Sequence, residues 1–233
     1  MILVAAGDSF IWGSELADSP HGGPNGYSRS TFPALLAKEY GIDYVCAAYP
    51  GLANNAISRK ATGACDINTI LLVSWTYPQR AEFRFGQEWC SINSWHTVHK
   101  QFSEEYFKHV GNNEYYEIYS VLKEILFVQQ YCKINKIPYL FLTADNHFYQ
   151  HENYFRSRDK DLDNLYYEID WAQWFWFPPG TNTNETQTPR GFYQWAIENK
   201  YSMGANGHPL EQAHRDAALL IKEKFDEMVK KSI

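Results

Sequence analysis

A chain of 233 residues is about one and a half times the ~150 residues of a common domain, which favours one elaborated domain over two complete ones. Hydrophobic residues make up 45% and charged residues 21%, and no apolar run approaches the ~18 residues of a membrane span, so a spanning helix is excluded. The formal net charge of −6, from 21 Lys+Arg against 27 Asp+Glu, removes any general attraction to nucleic-acid phosphates or anionic membranes.

The chain opens with ILVAA, residues 2–6, an apolar run without polar alternation that predicts a strand buried on both faces and stopped by Gly7. A Gly/Pro/Ser loop follows, then a helix over 31–40 with Thr31 near its N-cap and Gly41 past its end. DYVCAAY, 43–49, reads as a second strand closed by Pro50-Gly51, and 53–63 as a short helix. NTILLVSW, 68–75, reads as a buried third strand. The helix expected over 117–136 carries Ile118, Val121, Leu122, Ile125, Val128 and Cys132 at i+3/i+4 steps, and IPYLFLT, 137–143, supplies a fourth strand. A last helix, 210–231, opens on Pro209 and Glu211 and closes on Lys230 and Lys231. Strands alternating with helices predict a single α/β domain over 1–233: a three-layer α/β/α, flavodoxin-like, mainly parallel sheet.

Residues 77–116 and 146–206 are long for connections in such a fold and read as ordered, aromatic-rich insertions. Aromatic residues total 17% of the chain, a share that a core alone seldom needs, and Trp89, Trp95, Trp171, Trp174, Trp176 and Trp195 all fall in these insertions. Because the insertions follow the third and fourth strands directly, they are expected to wall the crevice at the strands' carboxyl ends and set specificity there.

The N-terminus has no basic region and meets Asp8 early, so a signal peptide is not expected and a cytoplasmic location is. Cys46, Cys65, Cys90 and Cys132 form no C-x-x-C pair and read as reduced thiols. His96 and His99 stand at i, i+3 and are either two surface histidines or half of a metal site that lacks an obvious third ligand. No metal or organic cofactor is expected.

Gly7-Asp8-Ser9 stands directly after the first strand, where a sharp turn can present the Ser9 hydroxyl at the sheet edge. A hydroxyl needs a base, and a terminal helix packed beside the first strand would bring Gly207-His208-Pro209 over Ser9. His208 is therefore the candidate base, against the plainer reading that it only caps its helix. Arg80 and Glu82 are expected to pair with each other or to line the mouth, and His214 to pack or cap.

These blocks resemble the SGNH hydrolases, also called GDSL-type esterases and lipases. The match runs through Gly7-Asp8-Ser9 with Gly13, Gly51 in YPGLANN, and Gly207-His208-Pro209, although Phe10 stands where the family has Leu. The stretch Trp75-Thr76-Tyr77-Pro78-Gln79-Arg80 is similar to one expected in SGNH-like proteins of tailed bacteriophages, which would place the chain in a host cytoplasm or a virion. The resemblance implies a serine nucleophile at Ser9, an oxyanion hole from the Ser9 and Gly51 amides, and Asp8 as a support for the serine turn.

Two departures stand out. The family's third block carries an Asn that donates to the oxyanion; here the Thr76 hydroxyl, or the amides of Asn54 or Asn55, would have to serve. The family's acid lies three residues before the His, where this chain has Ala205; a backbone carbonyl, Asp145 in T-A-D-N-H, or a Ser-His dyad without an acid would take its place. The implied activity is hydrolysis of a small acyl ester, for example an O-acetyl group on a glycan. The rivals are an acyltransferase on the same site and a degenerate SGNH domain used for binding or as a phage structural module.

Overall fold

In the computed structural model, residues 1–19, 26–93, 99–146, 159–180 and 189–231 are described. Four strands, β1 (Ile2–Ala6), β2 (Asp43–Cys46), β3 (Thr69–Trp75) and β6 (Tyr139–Thr143), form a parallel sheet in the order β2-β1-β3-β6. Ile2 pairs with Asp43 on one side and with Thr69 on the other, and Leu71 pairs with Tyr139. The chain leaves β1 toward β2 and then crosses back to β3, so the strand order reverses between β1 and β3. In open parallel sheets the crevice at such a switch point is where ligands bind.

The apolar runs lack polar alternation because both sheet faces are covered. Leu3 and Ala5 of β1 face α2 (Phe32–Glu39) and the C-terminal helix α8 (Glu211–Lys231). Val4 and Ala6 face α3 (Asn54–Ala64) and the long helix α5 (Glu114–Asn135), which turns Ile118, Val121, Leu122, Ile125, Val128 and Cys132 inward. The expected three-layer α/β/α architecture is thus observed, with strand and helix limits within three residues of the sequence reading. No helix among the described residues is long and apolar enough to cross a membrane.

The first insertion begins with an antiparallel hairpin, β4 (Ala81–Phe85) and β5 (Glu88–Ile92), followed by α4 (Lys100–Tyr106) and one turn of π-helix, Phe107–Gly111. Arg59 of α3 grips Glu82 at the foot of this hairpin through two bonds, 2.7 and 3.1 Å. Trp89, on β5, is half exposed and lies over the Arg59 guanidinium. His99 stacks on Phe85, with ring centroids 3.8 Å apart, while His96 and Trp95 lie outside the described residues.

The second insertion corrects the sequence reading of the aromatic excess. After α6 (Lys160–Tyr167), the segment around Trp174 runs along β6: Trp174 bridges Phe141 in parallel and the Phe175 amide donates to the Phe141 carbonyl. It extends the sheet edge, so its side chains alternate with period two. Trp174 and Trp176 enter the core beneath α5, while Phe175 and Phe177 enter the opposite core with Phe192 and Trp195 of α7 (Phe192–Glu198). Trp174 and Trp195 are each 3% exposed. These aromatics are structural: they seal an edge that would otherwise present open hydrogen-bonding groups to water.

Candidate active site

Ser9 sits where β1 ends and a single helical turn, α1 (Ser9–Trp12), begins. Asp8 caps this turn by accepting from the Phe10 amide at 3.1 Å, and Gly13 closes it in the left-handed conformation, φ 81°. A side chain at position 13 would also meet Ser28 at 2.4 Å, so the Gly of the G-D-S-x-x-x-G pattern is required twice over. Ser9 is largely buried. Among the described residues its hydroxyl makes no hydrogen bond, and it retains solvent access.

The chain reverses after Gly13 and carries Glu15 toward residues 202–210, the loop ahead of α8. Glu15 is a non-glycine residue at φ 70°, a left-handed conformation uncommon outside glycine. Its carboxylate accepts from the Asn206 amide at 2.9 Å, from the His208 amide at 3.3 Å, and lies 2.6 Å from His208 Nδ1. Partial burial works to raise the Glu15 pKa, but the hydrogen bonds from Asn206 and His208 and the pull of the imidazole outweigh it and hold the carboxyl below its ordinary value. Gly204 permits the contact, since a Cβ there would fall 2.5 Å from the Glu15 carboxyl carbon. Glu211 at the start of α8 accepts from the Ala17 amide at 2.8 Å and pins the same loop.

His208 packs edge-on against Phe10, the residue after Ser9, at a centroid distance of 5.5 Å. The two blocks at opposite ends of the sequence are therefore neighbours in space. The acid beside His208 is Glu15, in place of Asp145, a backbone carbonyl or no acid at all. Asp145 does follow β6 on the same sheet edge, buried, with Gly191 allowing the loop before α7 to approach its backbone. His214 is buried against Phe32 and Phe192, where its Nδ1 accepts from the Phe32 amide and burial lowers its pKa to about 3. It is a neutral packing residue.

The proposed side-chain oxyanion donors are committed elsewhere. The Thr76 hydroxyl donates to Asp8 Oδ2 at 2.6 Å, and the Thr76 amide donates to Asn54 Oδ1 at 2.9 Å. Asn54 returns its own Nδ2 to the carbonyls of Thr76 and Tyr77, and Asn55 makes the same reciprocal clamp on the backbone of Glu82. A hydrogen already aimed at a buried acceptor is not available to a substrate oxygen, so Thr76 and Asn54 are corrected to structural ties, and Asn55 spends one of its two amide hydrogens on the Glu82 carbonyl. The backbone amides of Ser9 and Gly51 remain, neither with a hydrogen-bond partner among the described residues. Gly51 adopts φ 78°, open to glycine, on the loop after β2. Arg80 does not pair with Glu82; it forms a buried ion pair with Asp8 at 3.1 Å.

A hydroxyl at a sheet switch point, an imidazole packed on the residue that follows it, a carboxylate on that imidazole's Nδ1 and two unpartnered amides are groups that serine-type acyl transfer would require. The surrounding fold is that of known esterases. A carbohydrate esterase family 2 enzyme with a carbohydrate-binding domain from Corynascus thermopiles (Myceliophthora fergusii) superposes with a TM-score of 0.52 at 11% identity, over 98% of this chain and 66% of that one. The acetyl xylan esterase Est2A from the rumen bacterium Butyrivibrio proteoclasticus gives a TM-score of 0.51 at 11% identity, over 99% of this chain and 64% of that one. The chain thus spans slightly less than two thirds of each, and identity at this level establishes the shared fold. No family model and no curated protein matches the sequence.

Proposed function

We propose that the protein is a serine esterase acting on a small acyl ester. Ser9 Oγ attacks the ester carbonyl carbon while His208 Nε2 takes its proton, and Glu15 holds the imidazole in the tautomer with hydrogen on Nδ1. The amides of Ser9 and Gly51 hold the oxyanion. Collapse breaks the bond to the alcohol, which leaves with the proton from His208. Water then attacks the acyl-enzyme, His208 again serving as base, and the acid is released.

The observation that carries this reading is the 2.6 Å contact of His208 Nδ1 with Glu15 on a ring packed against Phe10. A degenerate binding module would have no use for a carboxylate held at a left-handed residue against that nitrogen. Ser9 and His208 make no direct hydrogen bond, in keeping with catalytic contacts that tighten only when substrate binds. Two structural neighbours named as carbohydrate and acetyl xylan esterases support an O-acetylated glycan as substrate. Fluorophosphonate labelling tests the chemistry: the wild type should label and Ser9→Ala should not. A folded wild type that fails to label, or equal labelling of both, refutes it. Acetylated xylan and p-nitrophenyl acetate, assayed side by side, test the substrate class.

A further inference from the structure

We propose that Arg80 is the positioning residue that sets the oxyanion site, by tying together the loops that carry the Ser9 and Gly51 amides. The inference rests on the serine-esterase reading. Arg80 Nη1 lies 3.1 Å from Asp8 Oδ2, 3.3 Å from the Leu52 carbonyl and 2.8 Å from Thr76 Oγ1. Asp8 immediately precedes Ser9, Leu52 immediately follows Gly51, and Thr76 immediately follows β3. One nitrogen therefore spans the loops that leave β1, β2 and β3, which are far apart in the chain.

The setting makes this tie rigid. The Asp8 and Arg80 side chains are 1% and 11% exposed, so water competes little for either. A carboxylate buried this deeply needs its cation, because an unpaired buried charge is strongly destabilising. The guanidinium also lies over the Tyr77 ring, 4.9 Å from its centroid, which fixes its plane. Lysine would supply the charge on a shorter stem, without the planar group that lies over Tyr77 and holds Nη1 at this point.

Arg80 reaches the reaction only through its partners. Asp8 Oδ2 takes the Arg80 and Thr76 donors while Oδ1 caps the turn that presents Ser9, so a shift of Asp8 moves the nucleophile and its amide together. The bond to the Leu52 carbonyl holds the neighbouring Gly51 peptide at a set distance from that turn. An oxyanion is gripped only by donors placed within a few tenths of an ångström, so losing this spacing weakens the transition state more than substrate binding.

The test compares Arg80→Met and Arg80→Lys with the wild type in p-nitrophenyl acetate hydrolysis. Affinity for phenylboronic acid, whose tetrahedral adduct on a serine uses the same amides, is measured in parallel, with thermal melting to establish folding. For Arg80→Met, kcat should fall roughly a hundredfold, boronate affinity should fall in step, and KM should stay within about threefold. Arg80→Lys should recover only part of the loss. A folded Arg80→Met with kcat and boronate affinity within about threefold of wild type overturns the proposal, as does a rise in KM alone. If Arg80→Met does not fold, Arg80→Lys decides: full wild-type kcat would mean that charge alone suffices and that the three-loop tie is irrelevant. A wild type that resists fluorophosphonate removes the esterase reading and this proposal with it, whereas a reactive wild type with unaffected Arg80 variants removes only the proposal.

Discussion

Replacing Glu15 by Gln changes one oxygen to an amide nitrogen in a site where both carboxylate oxygens receive hydrogen bonds. With its remaining oxygen toward the Asn206 amide, the Gln side chain turns its NH2 on His208 Nδ1, now 2.6 Å from Glu15. A donor there forces Nδ1 to act as acceptor and moves the ring hydrogen to Nε2, which can then no longer take the Ser9 proton. The opposite flip sets the NH2 against the backbone amide and the side-chain Nδ2 of Asn206, both donors. Either way the base is lost or mis-set, and the shape is kept. The equivalent tautomer error in a serine triad costs on the order of 10⁴ in kcat, or about 5 kcal/mol of transition-state stabilisation. The assay is p-nitrophenyl acetate hydrolysis by Glu15→Gln, with thermal melting as control; kcat should fall by roughly 10³ to 10⁴ while KM stays within about threefold. Glu15→Gln with kcat within about threefold of wild type at unchanged melting temperature would falsify the assignment of Glu15 as the acid. Since the Glu15 pKa is held below its ordinary 4.5, the contribution of this contact to stability is complete above that value and is lost only as pH falls through the lower folded value.

Gly204→Ala drives a methyl into the Glu15 carboxylate, at 2.5 Å from its carbon, and the flexible carboxylate should yield. The expected signature is a fall in kcat resembling that of Glu15→Ala with a melting temperature close to wild type; retained activity would argue against the Glu15 contact. His214, with its pKa lowered to about 3 by burial, imposes an acid sensitivity: protonation favours the unfolded chain, so its share of stability is intact above pH ~6.5 and declines below it. Between pH 6.5 and 5 the loss is about 2 kcal/mol at ~1.4 kcal/mol per unit, and urea titrations should find it in the wild type and not in a folded His214→Gln. Trp174→Ala should cost about 3–5 kcal/mol in stability and leave kcat/KM of the folded fraction unchanged. A selective loss of activity on glycan esters at unchanged stability would restore Trp174 to the substrate site.

The serine and histidine blocks were legible because each is anchored to an element with a strong local signal. An unalternated apolar run ends at Gly7, and a periodic helix begins just after His208. Glu15 carried no such signal. Its role depends on a one-turn helix closing at Gly13, on a left-handed backbone, and on a partner loop 191 positions away at Asn206. The pattern G-D-S-x-x-x-G-S-E offered only the hint that the chain turns back after Gly13. The polar residues near β3 were equally opaque: Thr76 and Asn54 have the chemistry of oxyanion donors, and only their partners show that their hydrogens are taken.

The sequence by itself determined the parallel sheet and its covering helices, because burial on two faces and helical periodicity are written in the spacing of apolar residues. It also put Ser9 and Gly51 on the loops after parallel strands, which gather at one edge of the sheet, and His208 just ahead of the last helix. Tertiary structure alone decided that Glu15 is the carboxylate on His208, that Arg80 answers Asp8, and that the aromatics from Trp174 to Phe177 enter the two cores at the sheet edge. Hydrogen bonds and ion pairs depend on which atoms converge within about 3 Å, and chains distant in sequence reach that separation only once packing has fixed the loops.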